Sequence, residues 1–222
     1  MRLVSKEGGI ATRTVVPDEV KPLQGLHLVS LFQKVVERYG LAVQPTLEET
    51  RETGARFRTG RLVKDGKEIP ITELAIFNDG FSVTTTDTSD SELVLDDLLP
   101  WLRNTFGFRD AVSKVKRAYQ SDVVVDFDHN MEAALAPILS LKENLQREFE
   151  AVSGIKRTFY FDFLGFIAED VPPTPMREFM IQRRIGAPLD AKRYFSKAHL
   201  PTAAHLKILE KLDSLLEKSK KS

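Results

Sequence analysis

The chain contains no cysteine. Disulfides, thiolate metal sites and a cysteine nucleophile are thereby excluded, and the composition fits a reducing compartment. Nor is there an excess of charge, since Lys plus Arg and Asp plus Glu each number 32. A zero balance argues against coating nucleic acid by bulk charge and leaves only local basic patches to weigh. Long apolar runs are missing too. The chain's apolar runs, such as Phe159–Phe161 and Phe163–Ala168, fall far below the ~20 residues that span a bilayer. Met1–Thr14 has no apolar core of signal-peptide length. The expectation is a soluble, cytoplasmic chain with no membrane association. The sequence also lacks a P-loop, a Gly-x-Gly-x-x-Gly fingerprint, a Gly-x-Ser-x-Gly elbow and a His-Glu-x-x-His motif. Its histidines, His27, His129, His199 and His205, show no zinc-site spacing.

What is present is globular in character. At 222 residues, 42% hydrophobic and 29% charged, the chain suits one large domain or two small ones and can bury a core without staples. Residues 1–24, rich in Gly, Pro and charge, read as an N-terminal arm. Residues 25–218 read as the globular region and divide into two loosely similar α-β-β-α halves, 25–110 and 119–218, with no residue-level repeat behind the likeness. Residues 219–222 read as a basic tail.

The patterning predicts an α+β fold: a three-stranded antiparallel β-meander and a second β-hairpin, packed with four to five helices on a mixed or antiparallel sheet. Leu28, Leu31, Phe32, Val35 and Tyr39 recur at helical spacing before Gly40. Thr46–Thr53 is polar, a loop or short helix. Asp65-Gly66 and Asn78-Asp79-Gly80 punctuate β-prone runs, and tight hairpins favour such residues because the turn needs positive φ. The meander therefore spans Arg56–Thr86. Pro70 cannot donate to a ladder, so the start of the middle strand is expected to be bulged or unpaired.

Further along, Ser89-Asp90-Ser91-Glu92 fits a capping box with Ser89 as cap. The helix it opens holds Pro100, which should kink or split it. Val123–Phe127 reads as a buried strand and His129–Gly154 as a helix broken near Pro137. The second hairpin joins Thr158–Ala168 to Met176–Gly186 through Val171–Pro175. Its first strand is apolar on both faces, which places it centrally. Pro188–Leu200 reads as a loop or irregular helix. Thr202–Lys218 is amphipathic, with Ile208, Leu209, Leu212, Leu215 and Leu216 as its apolar stripe. By fold analogy alone, this order resembles small α+β chaperone-like domains that dimerise through a sheet.

One constellation could carry chemistry. Val123-Val124-Val125-Asp126-Phe127-Asp128 ends an apolar strand on two carboxylates facing one side, and a third, Asp162, lies on a later strand. Carboxylates so placed can hold Mg²⁺ for phosphoryl transfer. The three acids resemble the pattern of nucleotidyltransferases, and Asp126-x-Asp128 resembles the haloacid-dehalogenase phosphatase motif. The first resemblance implies an upstream Gly-Ser pair that Gly107-Phe108 does not supply. The second implies an early position in a doubly wound parallel sheet, whereas here the motif comes past the middle, amid hairpins. The plainer reading is a strand end followed by a helix cap at Asp128 or Asn130. For Asp162, on an apolar strand face, it is an ion pair with Arg183 or Arg184.

Asp87, Asp90, Asp96 and Asp97 sit largely at a helix start, where negative charge favours the dipole, and no EF-hand spacing links them. Basic clusters occur at Arg56–Arg61, Lys114–Arg117, Arg177–Arg184 and the tail. Arg56, Arg58 and Arg61 with Phe57 could bind phosphate backbones, but more commonly such charge keeps an edge strand soluble.

The reading that follows is a non-enzymatic binding or assembly protein, with a protein partner or a second copy of the chain as occupant and no cofactor named. Two alternatives stay open. One is a Mg²⁺-dependent phosphoryl or nucleotidyl transfer enzyme using Asp126, Asp128 and Asp162, so enzyme or not is undecided at this stage. The other is a nucleic-acid-binding module, which the charge balance disfavours.

Overall fold

The computed structural model describes residues 1–129, 131, 136–160, 162–167, 179–188 and 191–218. The turn expected at Val171–Pro175, the start of the strand at Met176, the cap Asn130 and the tail from Ser219 lie outside the described residues.

Among the described residues the chain forms an α+β fold with six helices and an eight-stranded antiparallel sheet. The strands are β1 (Arg2–Thr14), β2 (Ala55–Lys64), β3 (Lys67–Phe77), β4 (Gly80–Thr85), β5 (Lys116–Asp126), β6 (Phe163–Phe166), β7 (Phe179–Arg183) and β8 (Arg193–Ala198). Their order is β2-β3-β4-β1-β5-β8-β7-β6. The helices are α1 (Pro17–Val20), α2 (Leu28–Tyr39), α3 (Leu47–Thr53), α4 (Thr88–Phe106), α5 (Ala136–Ser153) and α6 (Thr202–Lys218). The sheet is thus larger than a three-stranded meander, and the helices exceed the four to five expected. Contacts divide the chain into two compact units. An N-terminal unit comprises Lys6–Asp122 with His199–Thr202, and a C-terminal unit comprises Met1–Ser5, Val123–Ala198 and Ala203–Ser222.

In the N-terminal unit the meander forms as expected, with Lys64 opposite Lys67 and Phe77 opposite Gly80. Its two turns differ. Asp65 and Gly66 take φ of 51° and 75°, the positive pair that matches strand twist. Asn78, Asp79 and Gly80 turn without a positive φ. Gly80 is needed for a different reason, since a Cβ there would overlap the Arg13 carbonyl oxygen of β1. Pro70 is accommodated without disrupting β3: it lies opposite Arg61 in the β2 ladder and before Glu73, where pairing with β4 begins. The irregular residue is on the other strand, Thr59 at φ 59°.

Residues 2–14, expected to be a loose arm, form β1, paired to β4 from Gly9↔Thr85 to Thr14↔Gly80. Gly8-Gly9 looks like a linker in sequence, but Gly9 is a packing residue. A Cβ there would overlap the backbone of Asp87 and Thr88 at the start of α4, and Ser91 Oγ donates to the Gly9 carbonyl at 2.7 Å.

The cap of α4 is Asp87, whose carboxylate accepts from Ser89 N at 2.8 Å. The expected Ser89–Glu92 box does not form, because Glu92 is taken by Arg13 and by the Tyr119 hydroxyl. The helix runs unbroken through Pro100 and ends at Gly107, φ 70°. The core beneath is built from Leu31, Val35, Phe57, Leu74, Val83 and Leu98, all essentially inaccessible. Each such side chain contributes about 1.5–3 kcal/mol by leaving water.

The C-terminal unit has its own core of Val123, Val125, Phe127, Ile181, Tyr194 and Leu209. Two sequence expectations fail here. Residues 193–198 are not loop but the strand β8, with Tyr194, Ser196 and Ala198 buried. The strand β6, expected to be central, is the outermost, and Phe166 is 60% exposed. Apolarity on both faces was the basis for a central placement, and it does not distinguish burial from exposure at an edge.

Helix α5 begins at Ala136. Its apolar residues Leu141, Leu145 and Val152 are exposed. Helix α6 has the expected span, but its buried face is rotated. His205, Leu209, Asp213 and Leu216 are buried, while Ile208 and Leu215 are 44% and 52% exposed. The displaced stripe carries two polar groups, and both find partners. His205 Nε2 lies 2.8 Å from Ser196 Oγ, and Asp213 accepts from His129 N at 3.2 Å and from the Met1 ammonium at 2.6 Å.

Candidate functional site

The acids singled out in the sequence lie in the C-terminal unit, and each is engaged by its own partner. Asp126 ends β5 and receives a two-pronged contact from Arg193 of β8, Nε to Oδ1 at 2.7 Å and a terminal nitrogen to Oδ2 at 3.0 Å. Arg2 adds a third at 2.5 Å. The Arg193 guanidinium, against some desolvation and with help from Arg2, holds the Asp126 carboxyl down at about 2. Asp128, two residues on, is largely exposed and pairs with the Met1 ammonium. Asp162 is exposed, not buried on an apolar face. Its carboxylate accepts from Gln182 Nε2 at 3.2 Å, while Arg183 meets it through the backbone, N–H to Asp162 carbonyl at 2.9 Å. The physical reason is its place just before the edge strand β6, where solvent reaches the side chain. Among the described residues no group of three or more His, Asp or Glu side chains stands close enough to hold a metal ion.

The open site is elsewhere, in the N-terminal unit. It is an apolar pocket of about 670 Å³, within the range of small-molecule sites. Segments distant in sequence build it. The chain leaving β1 contributes Val15, whose N–H donates to the Asp79 carbonyl at 2.8 Å. Helix α1 contributes Val20, and the first turns of α2 contribute Leu28, Val29, Leu31 and Phe32. Leu47 and Thr50 come from α3, Ile76 and Phe77 from the end of β3, Phe81 from β4, and Phe108 from beyond α4.

Local chemistry fixes each piece. His27 caps α2, its Nδ1 accepting from Ser30 N at 3.3 Å. Thr46 and Glu49 form a reciprocal capping box that sets α3, with Thr46 N to Glu49 Oε2 at 2.8 Å and Glu49 N to Thr46 Oγ1 at 3.2 Å. Gly54 ends α3 at φ 77°, where a Cβ would stand 2.6 Å from Phe77 Cδ1. Aromatic edges stiffen the walls: Phe32 meets Phe57 edge-on at 5.4 Å between ring centres, and Phe81 meets Phe108 at 6.2 Å.

At the rim the polar side chains are Lys21, His27, Thr50 and Asn78, and no Asp or Glu lines the pocket among the described residues. Lys21 follows α1 with its backbone held at both ends. Its N–H donates to the Pro17 carbonyl at 3.0 Å and its carbonyl accepts from Arg109 Nε at 3.0 Å. Arg109 also donates to the Asp18 carbonyl, and its N–H donates to the Val20 carbonyl at 2.9 Å. Leu28 and Leu47, at the mouth, are 40% and 51% exposed. Such an arrangement excludes water from an apolar body and offers a few hydrogen bonds and one cation at the edge. It presents no nucleophile with an adjacent base.

Sequence reasoning missed this site because its lining is scattered over segments from Val15 to Phe108, some of them read as arm or loop. One signal was available: Thr46-x-x-Glu49 is a capping-box pattern as clear as the one read at Ser89. No family model matches the chain, and no curated protein matches it.

Proposed function

We propose that the chain is a non-enzymatic binding protein and that the apolar pocket of its N-terminal unit is the binding site. The observation that carries this reading is the pocket itself. It is open, of ligand size, walled by Phe32, Phe77, Phe81 and Phe108, and rimmed by a few polar groups. Monomeric proteins rarely leave a concave apolar surface of this kind without use. Partly exposed Leu28, Val29 and Leu47 at its mouth extend the apolar surface a ligand would cover. The saturated pairing of Asp126 and Asp128 with cations supports a structural rather than a metal-binding role for the Asp-x-Asp motif. No helix among the described residues is long and apolar enough to cross a membrane.

The reading is tested with a neutral solvatochromic dye such as Nile red. The full chain should enhance its emission with saturable, single-site binding. Leu28→Trp and Leu47→Trp, which fill the mouth, should each weaken that binding at least roughly tenfold while the circular dichroism spectrum stays unchanged, the loss of about 1.4 kcal/mol of contact. Dye binding that ignores both substitutions would refute the assignment of the site.

A further inference from the structure

Resting on that reading, we propose that the pocket's ligand is an anionic amphiphile: an elongated apolar body ending in a single acidic group, such as a carboxylate, which Lys21 receives at the rim. Three features of the site converge on this chemistry.

The first is charge. Lys21 is the one cationic side chain on the pocket's lining, and no carboxylate lines it among the described residues. Several cations of this unit are matched, Arg13 by Glu92 and Asp96, Arg38 by Asp97, Arg56 by Glu73, and Lys67 by Asp90, but none of these lines the pocket. Among the described residues Lys21 has no ion-pair partner, and it does line the pocket. Glu19, two residues away, is occupied, held by Ser113 through N–H and hydroxyl at 2.8 and 2.5 Å. At the far side of the pocket Glu49 is held by the Thr46 cap. A lysine left without a counter-charge beside an apolar cavity favours an anion over a neutral or cationic group.

The second is position. A flexible surface lysine is a poor binding group because ordering it costs entropy. Here the backbone of Lys21 is fixed before any ligand arrives, by the Pro17 carbonyl on one side and Arg109 on the other. The side chain alone remains to be ordered. Arg109 spends its donors on carbonyl oxygens of Asp18 and Lys21, so it positions the segment and adds positive potential without closing the site with a carboxylate.

The third is shape. The lining is apolar from Val15 and Val20 through Phe32 to Ile76 and Phe81. The polar side chains besides Lys21 are few, His27, Thr50 and Asn78. This combination suits one charged end and a long uncharged body. It does not suit a nucleotide or sugar, whose many polar groups would be buried there without partners.

The test titrates the full chain at pH 8 with dodecanoic acid and, separately, with dodecanol, both below their aggregation limits, by displacement of the neutral dye. The acid should bind roughly fivefold to tenfold more tightly than the alcohol, the range for one partly exposed charge contact. Lys21→Gln should abolish that preference, while Lys21→Arg retains it. Equal affinities in the wild type, or a preference that survives Lys21→Gln, would overturn the anionic assignment while leaving the pocket as a binding site. Failure of both probes to displace the dye would overturn the pocket reading as well. Sedimentation as a dimer that Leu28→Glu dissociates, with neither probe binding, would give the pocket to a second copy and overturn the proposal.

Discussion

At the end of β5 the carboxylates outnumber nothing: Asp126 has two arginines, Asp128 has the Met1 ammonium, and Asp213 has both that ammonium and His129. At the mouth of the N-terminal unit's pocket the situation is reversed, and Lys21 stands beside apolar walls with no carboxylate among the described residues that line it. The first region looks like chemistry in the sequence and behaves as a clasp. The second carries no motif and has the open volume and the unmatched charge that binding requires. Acid clusters advertise themselves in a sequence whether they act or merely hold strands together. A pocket assembled from distant apolar residues does not.

The comparison can be sharpened by substitution. The largest expected effect lies in the clasp's unit, at the rotated face of α6. Leu209→Ala should cost about 2–5 kcal/mol in chemical denaturation, as for other fully buried leucines. Leu215→Ala, half-exposed, should stay within about 0.5 kcal/mol. The reverse order would restore the stripe read from the sequence.

Next is the close approach of β1 to α4. Gly9→Ala must displace the Asp87–Thr88 backbone and should lose about 1–3 kcal/mol, the usual cost of overpacking. A neutral result would return residues 2–14 to the status of a loose arm.

Asp126 follows. Asp126→Asn should lose about 1–2 kcal/mol, the net value of charge-assisted hydrogen bonds, with dye binding in the other unit untouched. Its pH dependence has a definite sign. The folded carboxyl is held at about 2, below its ordinary value of 3.8, so its stabilising effect is complete above about pH 4 and is lost as pH falls toward 2. Asp213 works in the same direction: burial pushes its carboxyl up, but the Met1 ammonium and His129 outweigh that and lower it. In Asp126→Asn the acid limb of the stability profile should be shallower than in the wild type. An unchanged limb would mean that the pair does not contribute.

The smallest stability effect belongs to the pocket. Leu47→Ser should change stability by no more than about 0.5 kcal/mol, since the side chain is half in water already, yet it should weaken binding of the neutral dye severalfold. Stability and binding thus separate at the pocket and coincide nowhere in the clasp.

Much of the fold was legible where the cause is local. Asp65-Gly66 makes a turn because of its own φ angles, and Gly40 and Gly107 stop helices because they adopt the left-handed conformation. The span Thr202–Lys218 followed from periodicity alone. Legibility ended where the cause is a distant neighbour. Gly9 is a strand residue because α4 lies on it. Glu92 abandons its capping role for Arg13, a residue 79 positions away. Asp213 is on the buried face of α6 because His129 and Met1 supply its partners. The pair Asp126–Arg193 spans 67 positions, and nothing in Val123–Asp128 reveals it. The pocket is the extreme case, drawing on the chain from Val15 to Phe108.

The most direct measurement of the central claim is a map of where an apolar ligand lands. Amide shifts of the isotopically labelled full chain, followed by NMR during titration with dodecanoic acid, should move at Val20, Lys21, Leu28, Phe32, Leu47 and Phe81 and stay still at Asp126, Asp128 and Arg193. Shifts centred on β5 and β8, or on the exposed Phe166 of β6, with the N-terminal unit silent, would contradict the account.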